Sequence, residues 1–266
     1  MARQTGPLKY KGTIGDIRHF KIKGLKGHFA GLKGGVDAER IKNGDEFVRT
    51  RENNNEFGGS AKAGKYFRQI LSPIMKGVAD ARVTSRVTAL MKKVNVEDGS
   101  EARGVRGILM TVRKDLMKDF EFNKMTNFES VFRAMYTLDV PETRSSAALM
   151  IKGFDPRFHL NSPRGASHFR IAFAIASVAD YVFNALDNTY EPKVKESGLL
   201  ALGYSDYLPL NGDVSDLNLS AELPNGTKPT ESESLVVCLG VEFYQQVSNK
   251  YYLLATGNCL KIADVK

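Results

Sequence analysis

Hydrophobic positions follow three different rhythms along the chain. In residues 1–35, Ile14, Ile17, Phe20, Ile22, Leu25, Phe29 and Leu32 stand among eight glycines. Each glycine costs a helix about 1 kcal/mol, so this pattern predicts two or three short twisted strands, or an extended arm, turning at glycines. From Asp37 to Phe120 the rhythm is helical. Asp37 and Asp45 stand as N-caps, and Gly58-Gly59 predicts a helix stop. Ser60 then caps a helix running through Phe67, Ile70 and Leu71. Ser72-Pro73 opens another, with Ile74, Val78, Ala81, Ser85, Thr88 and Met91 along one side. Residues 94–100 break it, and Val105, Ile108, Leu109, Val112 and Leu116 form the stripe of a further helix over Glu101–Phe120.

Beyond Phe122 the period shortens to two. The longest run is His168–Phe183. Phe169, Ile171, Phe173 and Ile175 share one face, and Arg170, Ala172, Ala174 and Ala176 share the other. The frequent alanines would also suit a helix, but strict alternation favours a long central strand. Further strands are expected at Ala134–Asp139, Ala147–Lys152, Leu199–Tyr204, Leu217–Glu222, Leu235–Gln245 and Lys250–Thr256, with a two-residue hairpin turn at Ser248-Asn249. The expected fold class is α+β: a glycine-rich basic arm and helical N-terminal half, then an antiparallel β-sandwich C-terminal half. The expected domains are 1–58, the arm with short strands and a helix; 59–122, a helical segment; and 123–266, the sandwich.

Charge is segregated. Residues 1–68 hold 15 Lys and Arg against 7 Asp and Glu, which is the whole of the chain's net +8. The remaining residues sum to zero. The basic side chains Lys21, Lys23, Lys26, Lys33, Arg40, Arg49 and Arg51 are interleaved with Phe20, Phe29, Phe47 and Phe57. That combination suits contact with a polyanion or with a partner protein. A basic extension docking on a neighbouring subunit, or a solvated face, gives the same composition.

Candidate chemistry is sparse. The four histidines show no metal-ligand spacing, and no metal or cofactor is expected. There is no phosphate-binding glycine loop and no G-x-S-x-G elbow. Cys238 and Cys259 lie in apolar, strand-like contexts; Cys238 reads as a buried small hydrophobe, and reduced thiols are the simpler reading, with a single disulfide as the alternative. Asp155, Arg157 and His159 gather before the long strand and, with Tyr207, form a candidate ligand rim; an Asp–Arg turn pair is the plainer reading. Tyr204 and Tyr190 complete the aromatic candidates for a carbohydrate platform. No apolar run is long enough to span a bilayer, and the first residues lack a signal-peptide core, so synthesis in the cytoplasm is expected.

KGTIG at the start, KGG at Lys33–Gly35, RTREN at Arg49–Asn53, EFG at Glu56–Gly58, SPRGASHFRI at Ser162–Ile171 and GVEFYQQV at Gly240–Val247 together resemble a family of uncharacterised bacterial proteins. The resemblance spans most of the chain. It implies no activity and no site residues, only that the two halves belong to one recurring design.

The expectation is therefore a non-enzymatic structural or assembly protein, a homo-oligomer or part of a larger assembly, whose N-terminal arm mediates docking. The alternatives are a nucleic-acid-binding protein using the basic region and a ligand- or carbohydrate-binding sandwich.

Overall fold

The computed structural model describes all of residues 1–266. The fold is mixed α+β with antiparallel sheets, and the chain divides into two compact units, Met1–Arg51 and Glu52–Lys266. No helix is long and apolar enough to cross a membrane.

The first unit holds four short strands: β1 (Ala2–Arg3), β2 (Gly12–Ile14), β3 (Ile17–Phe20) and β4 (Phe29–Leu32). They form one antiparallel sheet in the order β1-β4-β3-β2, followed by helix α1 (Ala38–Asn43). Gly15, at φ 56°, makes the turn between β2 and β3. Glycine there avoids the Cβ clash of the left-handed region.

The second unit is built on two strands, β7 (His168–Ala179) and β13 (Glu233–Val247), paired antiparallel along twelve residues each. Strands β10 (Leu200–Tyr204) and β11 (Leu208–Pro209) flank β7, while β14 (Lys250–Leu253) and β15 (Cys259–Val265) flank β13. The predicted hairpin turn joins β13 to β14, with Ser248 at φ 54°. Alternation along β7 separates two cores. Phe169, Ile171, Phe173 and Ile175 face a three-stranded sheet, β12-β6-β5, made of β5 (Tyr136–Asp139), β6 (Ser146–Ile151) and β12 (Leu217–Glu222). Ala172, Ala174, Ala176 and Val178 face the helices, and their small size lets the helices lie close. Those helices are α2 (Val48–Ile70), α3 (Ser72–Met75) and α4 (Val83–Val96). The short helices α5 (Lys114–Met117), α6 (Phe128–Val131) and α7 (Pro156–His159), and the hairpin of β8 (Tyr181–Asn184) with β9 (Thr189–Pro192), complete the unit.

Three helix expectations are overturned. Gly58-Gly59 does not stop the helix: α2 runs through both. Gly59 lies against the ring of Tyr190, where a Cβ would stand 2.5 Å from the ring carbons, so packing selects the glycine. The expected helix from Ser72 is two helices, α3 and α4, broken near Gly77 at φ 80°. The expected helix over Glu101–Phe120 is mostly turns, with only α5 helical. Side chains from α2 and α4 take its backbone groups instead. Glu56 accepts from Gly104 N–H (2.8 Å), Asn55 donates to Gly104 O (2.7 Å), and Asn95 donates to Arg106 O (2.6 Å). Long strands are placed well, except that the expected run to Phe183 breaks at Asp180, whose carboxylate accepts from Thr111 N–H (3.0 Å) and hydroxyl (2.6 Å).

Candidate interaction site

No residue of Met1–Arg51 is buried. Its sheet nonetheless has an organised apolar face. Register places Ile14 opposite Ile17, and Ile17 opposite Leu32. These three cross-strand neighbours are 60%, 46% and 83% exposed. On the other face Phe20 and Phe29 pair at 6.3 Å, and the Arg18 guanidinium lies over Phe20 at 5.8 Å. Gln4 fastens the edge: its backbone N–H donates to His28 O (2.8 Å) and its side-chain amide to Phe29 O (3.1 Å).

The unit carries 12 basic and 5 acidic side chains, a net charge of +7. Lys21, Lys23 and Lys26 lie in the exposed loop between β3 and β4, with Leu25 57% exposed among them. Lys33 follows β4 and is exposed, its N–H donating to Asp16 O (2.6 Å). None of these four lysines is in an ion pair. Desolvation and then Lys21 and Lys9 lower the pKa of His28. Arg40 is held differently, paired with Glu46 at 2.9 Å. Arg51 donates to Ile41 O (2.9 Å) and Gly44 O (2.7 Å), closing the end of α1. Arg49 stands one turn before the motif residue Asn53 at the start of α2, exposed and engaged within the chain. The structure thus leaves the four lysines available and commits Arg40 and Arg51 to local structure.

The candidate rim resolves into two groups. Asp155 caps α7 by accepting from Arg157 N–H (2.9 Å), and its carboxylate pairs with the Arg157 guanidinium at 2.7 Å. His159 Nδ1 lies 3.0 Å from Asp155 O. These three residues serve one another within a single turn. Tyr207 belongs to a different cluster, stacked on Tyr251 at 4.1 Å and edge-on to Tyr244 at 4.8 Å. At its centre the Arg170 guanidinium covers Tyr204 at 3.9 Å and pairs with Glu242 at 2.7 Å. Glu242 also accepts from Tyr244 O–H at 2.6 Å. The tyrosine rings therefore already hold a cation from their own chain. Tyr190 is no platform: it is buried, and its hydroxyl donates to Arg106 O (2.9 Å). Burial pushes the thiols of Cys238 and Cys259 up to about 12, well outside the range of a reactive thiolate.

Sequence reading missed one centre. Glu56 is buried beneath Arg106, which it binds through both oxygens at 2.8 and 2.9 Å, and beside Lys92. Its signal was visible as EFG, an acid beside two glycines within a long polar helix, yet only the fold reveals Arg106 as its partner. Comparison with protein-family models, with curated proteins and with solved structures found no match.

Proposed function

We propose that the protein is a non-enzymatic assembly component, whose Met1–Arg51 unit docks on a neighbouring copy while the second unit, with a sandwich of β12-β6-β5 on the large sheet, serves as the body. One observation carries the reading: the first unit forms a four-stranded sheet in which no side chain is buried. Ordering a backbone costs about 1–2 kcal/mol per residue, and a small sheet needs a covered apolar face to offset that. A partner that covers Ile14, Ile17 and Leu32 supplies the missing core. Exposed apolar residues gathered on one strand face are the feature expected of such a contact. The candidate chemical groups are otherwise occupied: Asp155 with Arg157, Glu242 with Arg170, and both cysteines inside the core.

The test is the double substitution Ile14→Glu and Leu32→Glu in the full chain. Light scattering behind size exclusion should show the assembly of the parent chain reduced to monomers, with far-ultraviolet circular dichroism of the body retained. An unchanged assembly mass would remove this reading.

A second reading rests on the four exposed, unpaired lysines in a unit of net charge +7: nucleic-acid binding. It requires retention on heparin or DNA that falls steeply with salt, and that Lys21→Glu with Lys23→Glu abolishes. Retention unaffected by those substitutions would exclude it.

A further inference from the structure

If the N-terminal unit docks on a neighbouring copy, some surface of that copy receives it. The outer face of β12-β6-β5 has the complementary chemistry. Burial alternates along β6: Ala147, Leu149 and Ile151 point into the core, while Ala148 and Met150 point outward. Register sets Thr137, Met150 and Asn218 in one cross-strand row, and Asp139, Ala148 and Ser220 in the next. The small Ala148 leaves a shallow groove of about 280 Å³ along these rows, with Met150 51% exposed beside it.

Charge stands at one end of that groove, on the strands either side of β6. Asp139 and Glu222 are exposed at the ends of β5 and β12, and neither is in an ion pair. Residues 205–233, which include β12, hold 6 acidic side chains and one lysine. Strand β5 is also the end of its sheet, so its outer backbone edge is unpaired. Open edges of this kind accept partners.

The N-terminal unit offers the opposite pattern. In the loop between β3 and β4, Leu25 projects 57% exposed between Lys23 and Lys26, with Lys21 close in sequence. An apolar tip between two ammonium groups matches a groove with Ala148 and Met150 in its floor and two carboxylates at one end. We infer that the groove over Ala148 and Met150 seats the Leu25 loop of a second copy of this chain, with Lys23 and Lys26 meeting Asp139 and Glu222. The inference rests on the assembly reading above and adds the receiving surface. Electrostatic complementarity of this kind fixes partner and register, and the +7 unit meets the most acidic stretch of the body.

Charge exchange in the full-length chain tests it. Asp139→Lys with Glu222→Lys changes exposed positions only, and so does Lys23→Glu with Lys26→Glu. Each pair alone should weaken association at least tenfold, read from mass against concentration by light scattering. All four substitutions in one chain should restore association to near the parent value. Loss on either side with recovery in the quadruple variant supports the seat. Parent-like mass for Asp139→Lys with Glu222→Lys, when Ile14→Glu with Leu32→Glu gives monomers, overturns the seat and leaves the assembly reading standing. Loss in both pairs without recovery also overturns it, because the two surfaces then act separately. A parent chain that stays monomeric throughout removes the seat and the assembly reading together.

Discussion

Glu56 and Glu121 show how two carboxylates in one body are driven in opposite directions. Burial alone would raise the Glu56 carboxyl, but hydrogen bonds from Arg106, Lys92 and the Gly104 N–H outweigh it and hold the pKa at about 2, below the ordinary 4.5. The folded chain therefore releases a proton that the unfolded chain keeps, and the group's contribution is present above pH 4.5 and lost as pH falls towards 2. Replacing Glu56 by Ala would strand Arg106 and Lys92 with no counter-charge, and should cost about 3 kcal/mol or more in a urea titration at pH 7. A loss under about 1 kcal/mol would contradict the role given to this residue. Glu121 is raised to about 7 by burial, which the Phe128 N–H and Lys261 offset only in part. One of its oxygens is buried without a hydrogen-bond partner. Here the folded chain holds the proton, so there is no penalty below pH 4.5, and the penalty grows between 4.5 and 7 and is complete above. Glu121→Gln should stabilise the chain by about 1–2 kcal/mol at pH 8, after allowance for solvent screening, and have almost no effect at pH 4. Equal effects at both pH values would exclude the penalty. Neither role was legible in the sequence, because the Glu56 partners Lys92 and Arg106 lie 36 and 50 residues away and the burial that raises Glu121 exists only in the fold.

At the scale of elements, long strands were legible and the helix ends were not. Strict alternation over His168–Ala179 survives because β7 is buried on both faces by different layers, bulky residues towards β12-β6-β5 and alanines towards the helices. Strand β12 occupies Leu217–Glu222 as its pattern predicts, whereas β9 and β15, with short or irregular alternation, went unread. Glycine misleads in opposite senses in α2 and at Glu101–Phe120. Local propensity reads Gly58-Gly59 as a break, but Gly59 is there to admit Tyr190; at Glu101–Phe120 the apolar stripe predicts a helix through Gly104, which at φ 100° bends a loop that Glu56 holds. This gives a paired prediction. Gly59→Ala should destabilise by about 1–3 kcal/mol, because the new methyl group meets the Tyr190 ring. Gly58→Ala, where a Cβ would meet nothing within 4 Å, should stabilise by about 0.5–1 kcal/mol. Opposite signs for adjacent glycines in thermal melts would confirm that packing, not helix termination, placed them. Equal signs would contradict it.

Across the whole molecule, the sequence already separated a basic N-terminal stretch from a neutral remainder, since charge counts need no fold. It did not reveal that the first unit ends at Arg51, inside the span of a continuous helix, or that its sheet buries nothing. The expected polyanion contacts were legible as a group but not individually. Arg40 and Arg51 turn out to bind Glu46 and the end of α1, while the four lysines remain open to a partner. Because those lysines are exposed, any association they direct should weaken as ionic strength rises from 0.05 to about 0.5 M, over which the Debye length falls several-fold. Association that strengthens steadily with salt would point to apolar contact alone.

The central claim, that the N-terminal unit is completed by another copy, is tested most directly by the mass of the full-length chain. It would be measured by light scattering across a concentration series, with the absorbance ratio at 260 and 280 nm recorded on the same peak. The account predicts a multiple of the 29.4 kDa chain with a protein-like ratio. A monomer at every concentration would contradict it, and a nuclease-sensitive excess at 260 nm would favour nucleic acid as the partner.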